Sequence, residues 1–100
     1  MLEQALQKKI IAFLEGRGAY VIKTIVTNKT GCPDLLVCYL GKFIALEVKA
    51  PGKLTNLTEL QKAQLGRIEN AGGIAIAVDS LDMVEDIVKD CEFYHGLYSK

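Results

Sequence analysis

One hundred residues, half of them hydrophobic, suffice for one domain spanning 1–100 with a real core, although a chain this short gains from a partner subunit. Twelve Lys/Arg balance twelve Asp/Glu, so bulk charge gives no sign of a nucleic-acid partner. The distribution is uneven, with ten basic against six acidic residues in 1–78 and two against six in 79–100. That asymmetry fits one face that tolerates phosphates, or simply a solvated acidic last helix. The segment MLEQALQKKI carries charges where a leader needs an apolar core, and no apolar run approaches the ~18 residues of a membrane span. Cys32, Cys38 and Cys91 are widely spaced and form no CxxC pair. Free thiols in a reducing cytoplasm are therefore expected, and zinc is not.

In chain order, residues 2–15 read as a helix, with Leu2, Leu6, Ile10, Phe13 and Leu14 on one apolar stripe. Gly16 and Gly18 end it. Tyr20 to Val26 is β-branched and predicts a strand, followed by a loop from Asn28 to Pro33. Leu35–Leu40 and Phe43–Ala50 predict two further strands across a Gly41-Lys42 turn, apolar on both faces and hence central. Thr58 opens a helix to Asn70, with Leu57, Leu60, Ile68 and Ala71 on its buried side. Ile74–Val78 predicts a fourth strand. Ser80 caps a last helix that turns Leu81, Val84, Ile87, Val88 and Cys91 inward. The order α-β-β-β-α-β-α describes an α/β domain with a central mixed sheet flanked by helices.

The chemistry concentrates in Gly31-Cys32-Pro33-Asp34 and Glu47-Val48-Lys49. Alternation along a strand points Glu47 and Lys49 to one face. If Leu40 pairs with Phe43, Asp34 falls opposite Lys49, with Glu47 on the diagonal. Two carboxylates at such a separation can hold one hard cation, which neutralises a phosphodiester and supplies an activated water. Lys49 beside it is suited to position that water, to stabilise developing charge, or to act as a base if the metal lowers its pKa. The plainer reading is a turn aspartate and an exposed Glu-x-Lys pair on an edge strand. Against it, Glu47 and Lys49 interrupt a strand that otherwise asks for burial.

These motifs resemble the PD-(D/E)xK nucleases, and more closely their VRR-NUC domains, which carry a G-x-P-D start, an E-V-K and a glutamine on the following helix, here Gln61. The Ala71-Gly72-Gly73 ending before an apolar strand is also similar, and the likeness runs from Glu3 to about Val78. It implies a restriction endonuclease-like αβββαβ core. It also implies Mg²⁺ or Mn²⁺ on Asp34, Glu47 and the Val48 carbonyl, with Lys49 and Gln61 completing the catalytic set. Small stand-alone members are similar in length, tend to be homodimers and resemble Holliday junction resolvases. Glu3 matches a first-helix acid that completes the site in many relatives, or is an ordinary acid at a helix start. Gln61 also fits a capping box with Thr58.

Lys23, Lys29, Lys53 and Lys62, with Lys42 and Arg67, are candidate DNA contacts, Lys53 foremost because it follows the catalytic strand. Tyr20 and Tyr39 fit core or interface better than base stacking, and His95 is placed past the last helix. The leading expectation is a metal-dependent endonuclease that hydrolyses DNA phosphodiesters. Branched DNA is the expected substrate, met by a symmetric homodimer in a bacterial or phage-infected cytoplasm. Flap- or nick-directed cleavage, a non-catalytic DNA-binding module on the same fold, and a general interaction domain are the alternatives.

Overall fold

The computed structural model describes residues 2–98, as α1 (Leu2–Gly16), β1 (Tyr20–Lys23), β2 (Leu35–Tyr39), β3 (Lys42–Val48), a short 3₁₀ turn (Leu54–Asn56), α2 (Glu59–Asn70), β4 (Ile74–Val78) and α3 (Leu81–Tyr98). The strands lie in the order β1-β2-β3-β4, antiparallel except for the parallel β3–β4 pair. The expected α/β class and mixed sheet are therefore present, with β2 and β3 central as their two-sided apolar character requires. The parallel pair needs a crossover, and α2 supplies it.

Helices cover both faces. On one, α1 and α3 bury Leu6, Ile10, Leu14, Val84, Val88 and Cys91 against Leu35, Val37, Ile44, Leu46, Val48 and Val78. On the other, Leu65 of α2 sits on Ala45 and Ala75. The small alanines let α2 lie close to the sheet, whereas the larger core beneath α1 and α3 carries most of the apolar burial. Truncating a fully buried side chain there, such as Ile10, is expected to cost about 2–5 kcal/mol.

Several local expectations are corrected. The hairpin loop is Leu40-Gly41 rather than Gly41-Lys42, and Tyr39 pairs with Lys42. Leu40 (φ 51°) and Gly41 (φ 79°) are both left-handed, the two-residue hairpin geometry whose twist matches the strands. The shift moves every cross-strand partner by two residues but leaves each side chain on its expected face. β1 ends at Lys23, and Ile25 and Val26 are exposed in the following loop. Leu2 and Leu60 are exposed, and Leu65 is the buried residue of α2. Tyr39 is buried as expected, whereas Tyr20 lies open on the edge strand. His95 lies inside α3, which runs on to Tyr98. No helix among the described residues is long and apolar enough to cross a membrane. Cys32, Cys38 and Cys91 are free thiols.

Candidate metal centre at the open end of the hairpin

The loop before β2 is shaped by Gly31. Its φ is +80°, and a Cβ there would meet the Leu60 carbonyl carbon at 2.8 Å. Only glycine lets this loop close onto the first turn of α2. Thr24 secures the next residues. Its hydroxyl donates to the Pro33 carbonyl (2.8 Å) and its amide to the Asp34 carbonyl (2.9 Å). No pattern in the sequence marks Thr24 for this task.

The observed register, continued one step past Leu35–Leu46, sets Asp34 opposite Glu47 rather than Lys49. The carboxylates are thus direct cross-strand neighbours, not diagonal ones. Asp34 is fixed because its Oδ2 accepts the Val48 amide at 2.8 Å. Glu47 and Lys49 are both buried, at 3% and 9% exposure, so the plain surface reading of Glu-x-Lys does not describe this strand. Lys49 Nζ lies 3.7 Å from Glu47 Oε2.

Gln61 joins the pieces. Its Oε1 accepts from Lys49 Nζ (2.9 Å) and from the Thr58 amide (3.0 Å), while its Nε2 donates to Glu47 Oε2 (3.1 Å). The capping box is complete, since Thr58 Oγ1 accepts the Gln61 amide. The two alternatives for Gln61 are therefore one arrangement: its reach back to the helix start holds the amide group between Lys49 and Glu47. The two ends of an amide let it accept from the ammonium and donate to the carboxylate at once.

One buried atom is left over. Glu47 Oε1 is shielded from solvent and has no hydrogen-bond partner. Burial, then the nearby Asp34 carboxylate, pushes the Glu47 carboxyl up to about 8, against the partial relief that Lys49 provides. An orphaned carboxylate oxygen beside a second carboxylate is a poor structural device and a good cation ligand. Asp34 and Glu47 therefore suit a hard divalent ion completed by waters and a backbone oxygen. Glu3, in the first turn of α1, is close enough to raise the Glu47 pKa. However, the described residues gather no group of three His, Cys, Asp or Glu side chains able to hold a metal. One turn along from Glu3, Gln7 is also buried with an unpartnered Oε1. A polar residue inside the apolar stripe of α1 was the available signal for it.

The candidate basic residues do not form one patch. All six are exposed. Lys23 ends β1 beside Leu35, near the carboxylates, whereas Lys42 begins β3 at the hairpin end, remote from them. Lys62 pairs with Glu59 at 3.6 Å. Lys53 caps the 3₁₀ turn in the segment after β3, where Asp79 accepts the Gly52 amide (3.0 Å).

Among solved structures, one described as a VRR_NUC domain superposes with a TM-score of 0.76 at 27% identity, covering 89% of this chain and 96% of the other. The chain folds as a VRR-NUC domain. A second structure, a VRR_NUC domain protein, matches in fold with a TM-score of 0.71 at 17% identity, over 90% of this chain and 87% of that one. No protein-family model matches the sequence, and no curated protein does. The VRR-NUC domain is of nuclease type and belongs to the PD-(D/E)xK superfamily, as the motifs suggested.

Proposed function

We propose that this chain is a divalent-metal-dependent endonuclease that hydrolyses DNA phosphodiesters, with branched DNA such as a four-way junction as its substrate. The observation that carries the reading is the half-buried Asp34 beside the buried Glu47, with its orphaned oxygen, directly next to a buried lysine. In this reading Asp34, Glu47 and the Val48 carbonyl would hold Mg²⁺ or Mn²⁺, with Glu3 adding negative charge near the site from the start of α1. When bound, the ion neutralises the phosphodiester and provides a water that is acidic enough to attack near neutral pH.

The chain's own residues do the rest. Asp34 is immobilised by the Val48 amide, so one ligand is preset before the ion arrives. A bound ion would favour the ionised form of Glu47 and would supply the partner that its Oε1 lacks. Gln61 holds the Lys49 ammonium in place through a 2.9 Å bond. From there Lys49 orients the attacking water or meets the charge that grows on the phosphate oxygens, without reorganising during the step. Lys53 and Lys23 supply phosphate contacts, Lys29 and Lys62 more peripheral ones. The homodimer belongs to the same reading. The last turns of α3 leave Phe93, Tyr94, Leu97 and Tyr98 exposed together, apolar area that a second copy would cover.

The test is cleavage of labelled four-way junction, flap and linear duplex DNA with Mg²⁺, Mn²⁺ or EDTA, for wild type and Lys49→Ala. Metal-dependent cutting that vanishes in the variant is expected, with the junction cut fastest. Preferred cutting of flaps or nicks would replace the substrate but keep the centre. Tight, salt-sensitive binding without cleavage in any metal would make this a DNA-binding module on a nuclease fold.

A further inference from the structure

A cavity opens beside the candidate metal centre, and none of the residues proposed for that centre lines it. Its volume is about 650 Å³, within the range of small-molecule sites. Leu36, Phe43 and Ile68 form apolar walls, and Lys29 and Arg67 stand among the lining residues, which include no Asp or Glu. Phe43 is 47% exposed, a large aromatic face left open on a central strand.

The cavity and the centre share two walls. Pro33 lines the cavity and the next residue is Asp34, while Gln64 lines it from α2 one turn beyond Gln61. Leu36 and Phe43 lie on the same sheet face as Asp34 and Glu47, two and four residues along their strands. At ~3.4 Å per residue, the apolar walls begin about 7 Å from the carboxylates and extend to about 14 Å. Nucleotides advance ~3.4 Å along a duplex strand, and about twice that when the strand is extended. A DNA strand whose phosphate sat at Asp34 and Glu47 and that ran toward the hairpin would carry a neighbouring base over this cavity.

We propose that the cavity is a subsite for an unstacked nucleobase, one or two nucleotides from the scissile phosphate, with Phe43 as the stacking surface and Lys29 and Arg67 on the flanking phosphates. The proposal rests on the nuclease reading and names the feature of the substrate that the site selects. A paired, stacked base cannot offer its face to Phe43, whereas a base at a branch or in a single-stranded arm can. Charge argues against a second copy of the chain in the same place. A two-fold contact brings each patch onto itself, so Lys29 and Arg67 would face the same cations across the interface.

The experiment places 2-aminopurine, then an abasic residue, at successive positions from the branch point of a junction with single-stranded arms. Binding is read in EDTA and cleavage in Mn²⁺. The proteins are wild type, Phe43→Ala, Phe43→Leu and Arg67→Gln, each checked for folding by circular dichroism. A fluorescence change confined to one or two adjacent positions is expected, with the abasic residue there weakening wild-type binding roughly tenfold. Phe43→Ala is expected to erase that positional dependence, and Arg67→Gln to weaken binding at every position while keeping it. Phe43→Leu keeps bulk without the ring and is expected to lose the dependence even if Phe43→Ala fails to fold. A flat scan with an actively cleaving wild type overturns the subsite and leaves the nuclease standing. A positional signal without cleavage in Mn²⁺ supports the subsite and overturns the nuclease. A flat scan together with a concentration-dependent dimer lost in Phe43→Leu assigns the cavity to self-association and overturns the proposal.

Discussion

The central sheet carries a polar cluster at each end, and the two are built on opposite terms. At the hairpin end, Arg17 donates to both oxygens of Glu92 (2.8 and 2.7 Å), and the Tyr39 hydroxyl donates to one of them at 2.6 Å. The Arg17 bond, then the Tyr39 bond, holds the Glu92 carboxyl below its usual range. At the open end, Glu47 is buried next to another carboxylate, keeps one oxygen unpartnered, and is pushed up to about 8. The first cluster is finished by the chain itself and ties the end of α1 to α3 and β2 on one side of the sheet. The second is left incomplete by the chain's own hydrogen bonds, with Glu47 Oε1 buried and unpartnered. A charged group that is fully satisfied reads as structure, and one that is buried and left short reads as function.

Substitutions that exchange one partner at each end give the widest separation. Lys49→Ala or Glu47→Gln is expected to lower the cleavage rate at least about a hundredfold, while Glu92→Ala leaves it within error, measured as single-turnover rates on one junction substrate. Gly31→Ala is the next largest, a stability effect of about 2 kcal/mol in urea unfolding, because the added Cβ meets the Leu60 backbone at a strained φ. Gln61 separates the two duties that it combines. Gln61→Glu retains a carbonyl-type acceptor for the Thr58 amide and so most of the helix start, but replaces the donor toward Glu47 by a third carboxylate. Cleavage is expected to fall strongly in Gln61→Glu with little loss of Tm. Gln61→Ala is expected to lose both activity and about 1 kcal/mol of stability.

The two ends also predict opposite pH behaviour. Glu47 binds its proton more tightly in the folded state, so between its ordinary value of 4.5 and about 8 the native protein holds more protons than the unfolded chain. Without metal, its contribution to stability therefore declines as pH rises through that window. Tm scans in EDTA are expected to show a decline that Glu47→Gln flattens and that Mn²⁺ offsets. Glu92 works the other way: its lowered pKa gives stability above the unfolded value that is lost as pH falls through the folded one. The pair lies at the surface and is screened by solvent, so this is the smallest effect, visible as a slightly steeper acid limb in wild type than in Arg17→Ala.

Much of this end of the molecule was legible because motif and burial pattern agreed. Glu47 and Lys49 stand out in a strand of Ile, Ala, Leu and Val, and their burial follows from that setting. Asp34 follows from strand pairing with the Glu-x-Lys motif, whereas the place of Gln61 in the site was implied by the resemblance to VRR-NUC domains and only its capping role by the Thr58 pattern. The register was not legible, because a turn at Leu40-Gly41 and one at Gly41-Lys42 keep the same faces. The difference lies in which residue accepts a left-handed backbone, and Leu40 takes it. The hairpin cluster was missed altogether. Arg17, Tyr39 and Glu92 lie as far as 75 positions apart, and no local pattern links them. Gln7 gives only a weak local signal, a single polar residue inside an apolar stripe.

By itself, then, the sequence determined what is periodic or local: helices from their apolar stripes and caps, central strands from two-sided hydrophobicity, and a carboxylate–lysine motif from its conflict with that hydrophobicity. Only the tertiary structure decided which groups end without partners. That depends on what distant elements bring to the same few ångströms. α2 lays Gln61 between Lys49 and Glu47, and the β2–β3 pairing sets Asp34 against Glu47. Burial, which depends on the whole fold, then leaves one oxygen of Glu47 without a partner beside the Asp34 carboxylate.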